Sequence, residues 1–170
     1  MLHETVNKLI VILCVVITIA KGQDLQCAKG WVHHDESCYM LHTKDKYNWI
    51  ESQMLCSGHG AHLAYIDDNA ENIFVKGLIM QNLTGQGGAH VWIGASDDAY
   101  EGDFLWYGID QPLTFTDWGP GEPNSVRLHL DEDCLVYWSN YHWKWADYNC
   151  HAQCYYVCEK SVEDSSVIVG

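Results

Sequence analysis

The chain has 170 residues, 48% of them hydrophobic, and its 9 basic and 23 acidic side chains give a formal charge of -14. A surface this acidic argues against nucleic acid and other polyanionic partners and suits cations instead. Acidity also keeps an extracellular protein soluble without any site, so charge alone selects no function.

Residues 1–22 read as a secretory leader, with Lys8 ahead of an apolar run from Leu9 to Ala20 and small residues at Ala20 and Gly22 before Gln23. The run is short for a membrane span, so the chain is expected to be secreted with no membrane span. The remaining 148 residues carry 7 basic and 22 acidic side chains, a formal charge of -15. That length suits one core and one domain, over residues 23–160. The last stretch, 161–170, "SVEDSSVIVG", reads as a loosely held tail.

Seven cysteines follow the leader: Cys27, Cys38, Cys56, Cys134, Cys150, Cys154 and Cys158. In an oxidising compartment, and without the CxxC pairs of structural zinc sites, they read as a disulfide framework. Spacing pairs Cys27 with Cys38 around an N-terminal hairpin and leaves the other pairs open. One cysteine must remain over.

In chain order, "YNWIESQMLC" predicts a helix with Trp49, Ile50, Met54 and Leu55 near one face and Thr43 or Asp45 as its cap. "NAENIFVKGLIMQNL" predicts a second, capped by Asn69, with Ile73, Phe74, Leu78 and Ile79 at helical spacing. Short strands are expected at "AHVWIGAS", "FLWYG", "CLVYW", "KWADY" and "CYYVCEK", separated by Gly, Asp, Asn and Pro clusters. Two helices followed by a run of strands predict an α+β domain.

The stretch from Thr114 to Asp133 is long for a connection and contains Trp118, Pro120 and Pro123, which favour an ordered, functional loop. A bound calcium ion would order such an acidic loop, because calcium takes six to eight oxygen ligands. Glu122, Asn124, Glu132, Asp133 and Asp147 are donors of that kind.

Other readings are weaker. His33, His34, His59 and His62 lack the spacing of a zinc site and are expected at the surface. Trp49, Trp92, Trp106 and Trp145 fall on apolar faces and are expected in the core rather than stacked on a ligand. Asn82-Leu83-Thr84 is a glycosylation sequon. No GxSxG, HExxH or phosphate-binding Gly loop is present, and the acid pair Asp97-Asp98 is no evidence of glycosidase chemistry, so the chain is not read as an enzyme.

Taken in order, "SCY" at 37–39, Cys56 closing the first helix, "WIGASD" at 92–97, "EPN" at 122–124, "EDC" at 132–134, "WAD" at 145–147 and the closing "CHAQCYYVCEK" form a specific set. From about Cys27 to Glu159 the chain resembles a C-type lectin domain, and "GASDDAYEGDFLWYG" with "FTDWGPGEPN" is similar to the perlucin-like lectins of molluscs. The resemblance implies the pairs Cys27–Cys38, Cys56–Cys158 and Cys134–Cys150, a cis peptide before Pro123, and a fold with a long calcium- and sugar-binding loop. It implies a Ca2+ site of Glu122, Asn124, Glu132 and Asp147 that takes two vicinal sugar hydroxyls, with Glu-Pro-Asn matched to mannose-type glycans. An auxiliary calcium site would use Asp97, Glu101, Glu132 and Asp133.

Two positions depart from the family pattern. Ala146 replaces the asparagine of Trp-Asn-Asp, which removes one oxygen donor and one amide and predicts weaker binding, and Ser125 replaces an acid of the auxiliary site. The resemblance also leaves Cys154 unpaired. Alternation puts Cys154, Tyr156 and Cys158 on one face, so Cys154 is either a buried thiol or, turned outward, the bridge of a disulfide-linked homodimer. The scarcity of free thiols in oxidising compartments favours the bridge. Two functions follow: a soluble calcium-dependent lectin for mannose-like glycans in glycan or pathogen recognition, or a perlucin-like matrix protein whose acidic face binds mineral calcium.

Overall fold

In a computed structural model, which describes residues 27–125 and 131–162, a capping box starts the first helix. The Asn48 side chain accepts from the Glu51 amide at 2.9 Å, and Glu51 accepts from the Asn48 amide at 3.1 Å. The expected leader over 1–22 and the tail beyond Val162 lie outside the described residues. Helix α1 therefore spans Trp49–Ser57, and the expected caps Thr43 and Asp45 instead lie in the preceding strand. Helix α2 spans Asn69–Asn82 and is capped by Asp68, one residue before the expected Asn69, through a 2.9 Å bond from the Glu71 amide.

The face that α1 buries is not its most apolar one. Trp49, Ser52, Gln53 and Cys56 point inward, while Ile50, Met54 and Leu55 are exposed. The polar members are satisfied: the Leu63 amide donates to Gln53 at 2.8 Å, and the Ser52 hydroxyl donates to the Asn48 carbonyl at 2.8 Å. In α2 the buried residues are Asn72, Val75 and Ile79, and the expected core residue Ile73 faces outward.

The strands are β1 (Val32–His34), β2 (Ser37–Tyr47), β3 (His62–Leu63), β4 (His90–Ser96), β5 (Leu105–Trp106), β6 (Gln111–Pro112), β7 (Cys134–Trp138), β8 (Lys144–Tyr148) and β9 (Cys154–Ser161). Antiparallel β2 and β9 join the two ends of the described chain, and β1 and β3 flank this pair. Strand β9 runs parallel to β4, which also pairs antiparallel with β5 and β7, and β8 closes on β7. Ser161, the first residue of the expected tail, ends β9, and the Val162 amide donates to the Glu36 carbonyl at 2.8 Å.

Three disulfides fasten this frame: Cys27–Cys38, Cys56–Cys158 and Cys134–Cys150. Trp92, Trp106 and Trp145 are almost wholly buried, and Trp49 is 5% exposed. Gly94, in "WIG", has no room for a side chain, because a β-carbon there would stand 2.5 Å from the Leu63 carbonyl oxygen.

The preference for an outward Cys154 is corrected here. Cys154 is 2% exposed, in a cluster with Trp92, Ala146 and Tyr156, and burial pushes its thiol up to about 12. A thiol held this way is neither reachable nor reactive enough to bridge two chains.

Candidate functional site

The long loop is strapped to β8 before it reaches the EPN stretch. The Gly119 amide donates to the Trp145 carbonyl at 2.7 Å and the Trp145 amide to the Asp117 carbonyl at 2.9 Å, bridging Trp118 to Trp145. Trp118 and Phe115 pack edge-on against the Trp145 ring, and Asp117 is anchored by Lys76 at 2.8 Å, Lys144 at 2.6 Å and Asn72 at 2.9 Å. A tight turn follows, closed by the Glu122 amide on the Gly119 carbonyl at 3.1 Å. The Glu122–Pro123 peptide is cis.

That strap delivers residues 122–125 to Asp147, which β8 presents opposite Leu135 of β7. The Asn124 amide donates to both Asp147 carboxylate oxygens, at 3.0 and 2.9 Å, and the Ser125 amide donates to one of them at 2.8 Å. The Asn124 side chain donates to Glu122 at 2.6 Å. Glu122, Asn124 and Asp147 thus form one constellation. Burial and then the Asp147 charge raise the Glu132 carboxyl above its usual range. Burial, and then the neighbouring Asp147 carboxylate, pushes Glu122 up to about 7.

A second group of acids adjoins it. Asp97, at the end of β4, is 1% exposed, its amide donates to the Asp133 carbonyl at 3.1 Å, and its carboxylate accepts from Gly102 at 2.8 Å. Burial above all, then the charges of Glu101 and Asp133, pushes Asp97 up to about 6. Glu101 accepts from the Ser125 hydroxyl at 2.8 Å, so the residue that replaces an acid satisfies one instead of repelling it.

Among the described residues no three Asp, Glu, His or Cys side chains gather into a ready-made metal cluster. The donors nonetheless fit a hard cation. Asn124 Oδ1, Glu132 Oε2 and Asp97 Oδ1 are buried oxygens without a hydrogen-bond partner, the condition that an oxygen-seeking ion relieves.

The histidines expected at the surface do not converge on a metal: His34 stacks on Phe74 at 4.2 Å and His62 on Tyr65 at 3.9 Å, both partly buried, while His59 meets the edge of Trp31. His33 is exposed, and Asn82 is exposed in the last turn of α2. Sequence reasoning missed Tyr141, whose ring lies against Gly119 just before the EPN stretch. No spacing signal connects a turn residue to that loop.

Comparison with known proteins agrees with this fold. The family model for the lectin C-type domain matches residues 45–160. A perlucin-like protein of Mytilus galloprovincialis is 28% identical over 158 residues, covering 91% of this chain and 97% of that protein. C-type lectin domain family 17, member A of Homo sapiens is 33% identical over 138 residues, covering 80% of this chain but only 32% of the human protein. The cow CD23 carbohydrate-recognition domain, solved in the presence of GlcNAc2Man3 oligosaccharide, superposes with a TM-score of 0.68 at 27% identity, covering 81% of this chain and 98% of that one. With the fold, the three disulfides and the domain match in agreement, the chain belongs to the C-type lectin domain family.

Proposed function

We propose that the chain is a secreted, calcium-dependent lectin for mannose-type glycans, acting in glycan or pathogen recognition. One observation carries the reading: Asn124 and Glu122 are held against Asp147 while Asn124 Oδ1 and Glu132 Oε2 stay buried and unpartnered. Glu122, Asn124, Glu132 and Asp147 would hold the ion. Calcium, when bound, supplies coordination positions for two vicinal sugar hydroxyls.

The protein's own residues select the sugar. The carboxylates of Glu122 and Glu132 accept hydrogen bonds from the two hydroxyls, and the Asn124 amide donates to a hydroxyl oxygen. An acid and an amide in this order suit the two equatorial hydroxyls of mannose-type sugars. Asp97, Glu101, Glu132 and Asp133 would take an auxiliary ion, with Ser125 reducing its ligand count. Asn82 is the proposed glycosylation site.

A glycan array read with calcium and with chelator tests this reading. Calcium-dependent signal on mannose-rich glycans is the expected result, and a chelator-insensitive or galactose-preferring pattern would overturn it. A perlucin-like role, in which the acidic face binds mineral calcium, is favoured by the mussel relative and the net charge. It predicts adsorption to calcium mineral with no glycan signal on the same array.

A further inference from the structure

Ile50 and Met54 stand one turn apart on the outer side of α1, and both are exposed although their chemistry suits a core. They are not isolated. Ile50 lines a cavity of about 410 Å³ together with Trp49 and Tyr107, whose rings meet edge to face with centroids 5.1 Å apart. Tyr107 and Ile109, in the turn after β5, are also close to half exposed. An apolar strip thus runs from α1 along the cavity to that turn, and continuous exposure of this kind marks a contact surface, unlike apolar residues scattered singly.

The same cavity is acidic. Asp98, Asp131 and Asp133 line it, and among the described residues no lysine or arginine does. The Asp98 amide donates to the Ser96 hydroxyl at 3.1 Å, and the Asn149 side chain donates to the Asp131 carbonyl at 2.8 Å and to its carboxylate at 3.3 Å, so both acids are placed before a partner arrives. The start of α1 does not reverse the sign, because its amides are already taken: Trp49 donates to the Cys150 carbonyl at 3.0 Å and Glu51 to the Asn48 side chain at 2.9 Å.

A partner for this surface needs a cation on an apolar stem and further apolar groups beside it. Arginine meets the first requirement, because its guanidinium is weakly hydrated, pairs with carboxylates and lies against aromatic rings, while its methylene stem packs on apolar surface. A small free amine does not meet the second, since Met54 and Ile109 carry the apolar strip past the cavity. We propose that the cavity beside α1 docks an arginine side chain from a basic, apolar-flanked peptide segment of a partner protein, at a site separate from Glu122, Asn124 and Asp147.

Heteronuclear NMR titration of the folded protein in chelator tests this, with acetyl-Leu-Arg-Leu-amide as the probe and its citrulline analogue, which keeps the shape and loses the charge, as the control. Saturable shifts at Ile50, Tyr107 and Asp131 are expected, with the citrulline peptide binding about fivefold more weakly, the upper range for an exposed ion pair. Asp98→Asn combined with Asp131→Asn should bring the arginine peptide down to the citrulline level, and Ile50→Ser should weaken both peptides alike. All three positions are exposed, so these variants are expected to fold. Equal affinity for the two peptides, wild-type affinity in the double variant, or shifts that fail to saturate or that centre on Glu122 and Asn124 would overturn the proposal. Chelator keeps the proposed calcium sites out of the measurement, so either result stands apart from the glycan array.

Discussion

Asp147 is fixed in place by three backbone hydrogen bonds from Asn124 and Ser125, so the carboxylate is oriented before a ligand arrives. Such preorganisation lowers the ordering cost of binding. The EPN triplet was legible in the sequence because its residues are contiguous and their chemistry is local. The grip on Asp147 was not, because it spans 22 or 23 positions and uses backbone amides that no side-chain pattern reveals. Ser125 read as a lost ligand, whereas its hydroxyl bonds Glu101, an assignment that depends on which loop lies opposite. At this scale the sugar assignment has a direct test. Glu122→Gln with Asn124→Asp reverses the acid and amide around the ion and is expected to move preference from mannose towards galactose. Ala146→Asn alone should tighten mannose binding several-fold, on the order of one added hydrogen bond. Competition with the two free sugars reads both effects, and an Ala146→Asn variant no tighter than wild type would refute the explanation for weak binding.

Helix positions were easier to read than helix faces. Periodicity located α1 and α2 to within a few residues, yet the apolar trio Ile50, Met54 and Leu55 faces solvent while Ser52 and Gln53 face the core. The reason is tertiary: Cys56 is tied to Cys158, and the Trp49 indole donates to the Ile93 carbonyl at 2.8 Å, and these two anchors fix the rotation of the helix. Once it is so turned, Gln53 becomes the partner of the otherwise unpaired Leu63 amide next to β9. Strand β2 was missed for a related reason. Its outer half, "HTKDK", is polar and half-exposed, so it carries no strand alternation. Gln53→Ala should leave a buried N–H without a partner and lower stability by about 1–3 kcal/mol. Urea unfolding measures it, and a loss under about 0.5 kcal/mol, the range of ordinary surface substitutions, would show that α1 is not held by this contact.

Across the whole molecule, binding and stability draw on the same loops. The sheet and disulfides hold the lower frame, with Cys56–Cys158 closing 102 residues of chain, a loop for which the entropic model gives about 4–5 kcal/mol. The loop side is different. It concentrates Asp97, Glu101, Glu122, Glu132, Asp133 and Asp147, and burial and mutual repulsion raise the carboxyls of Asp97, Glu122, Glu132 and Asp133 above their ordinary values. Without a cation this repulsion opposes folding, and an ion that binds only the folded arrangement adds stability through mass action. At free calcium one hundred times its dissociation constant the gain is about 2.7 kcal/mol, and for a domain of this size about 1 kcal/mol moves the melting temperature by roughly 2–8 °C. Millimolar calcium is therefore expected to raise the melting temperature by several degrees over chelator, with magnesium giving little because it demands a tighter, near-octahedral shell. Asp147→Asn should reduce most of that increment while leaving the chelator melting curve near wild type, since the amide side chain keeps an oxygen for the Asn124 and Ser125 amides. Scanning calorimetry at fixed pH reads all of these conditions, and wild-type curves that coincide in calcium and chelator would remove calcium from the site while leaving the fold as it stands.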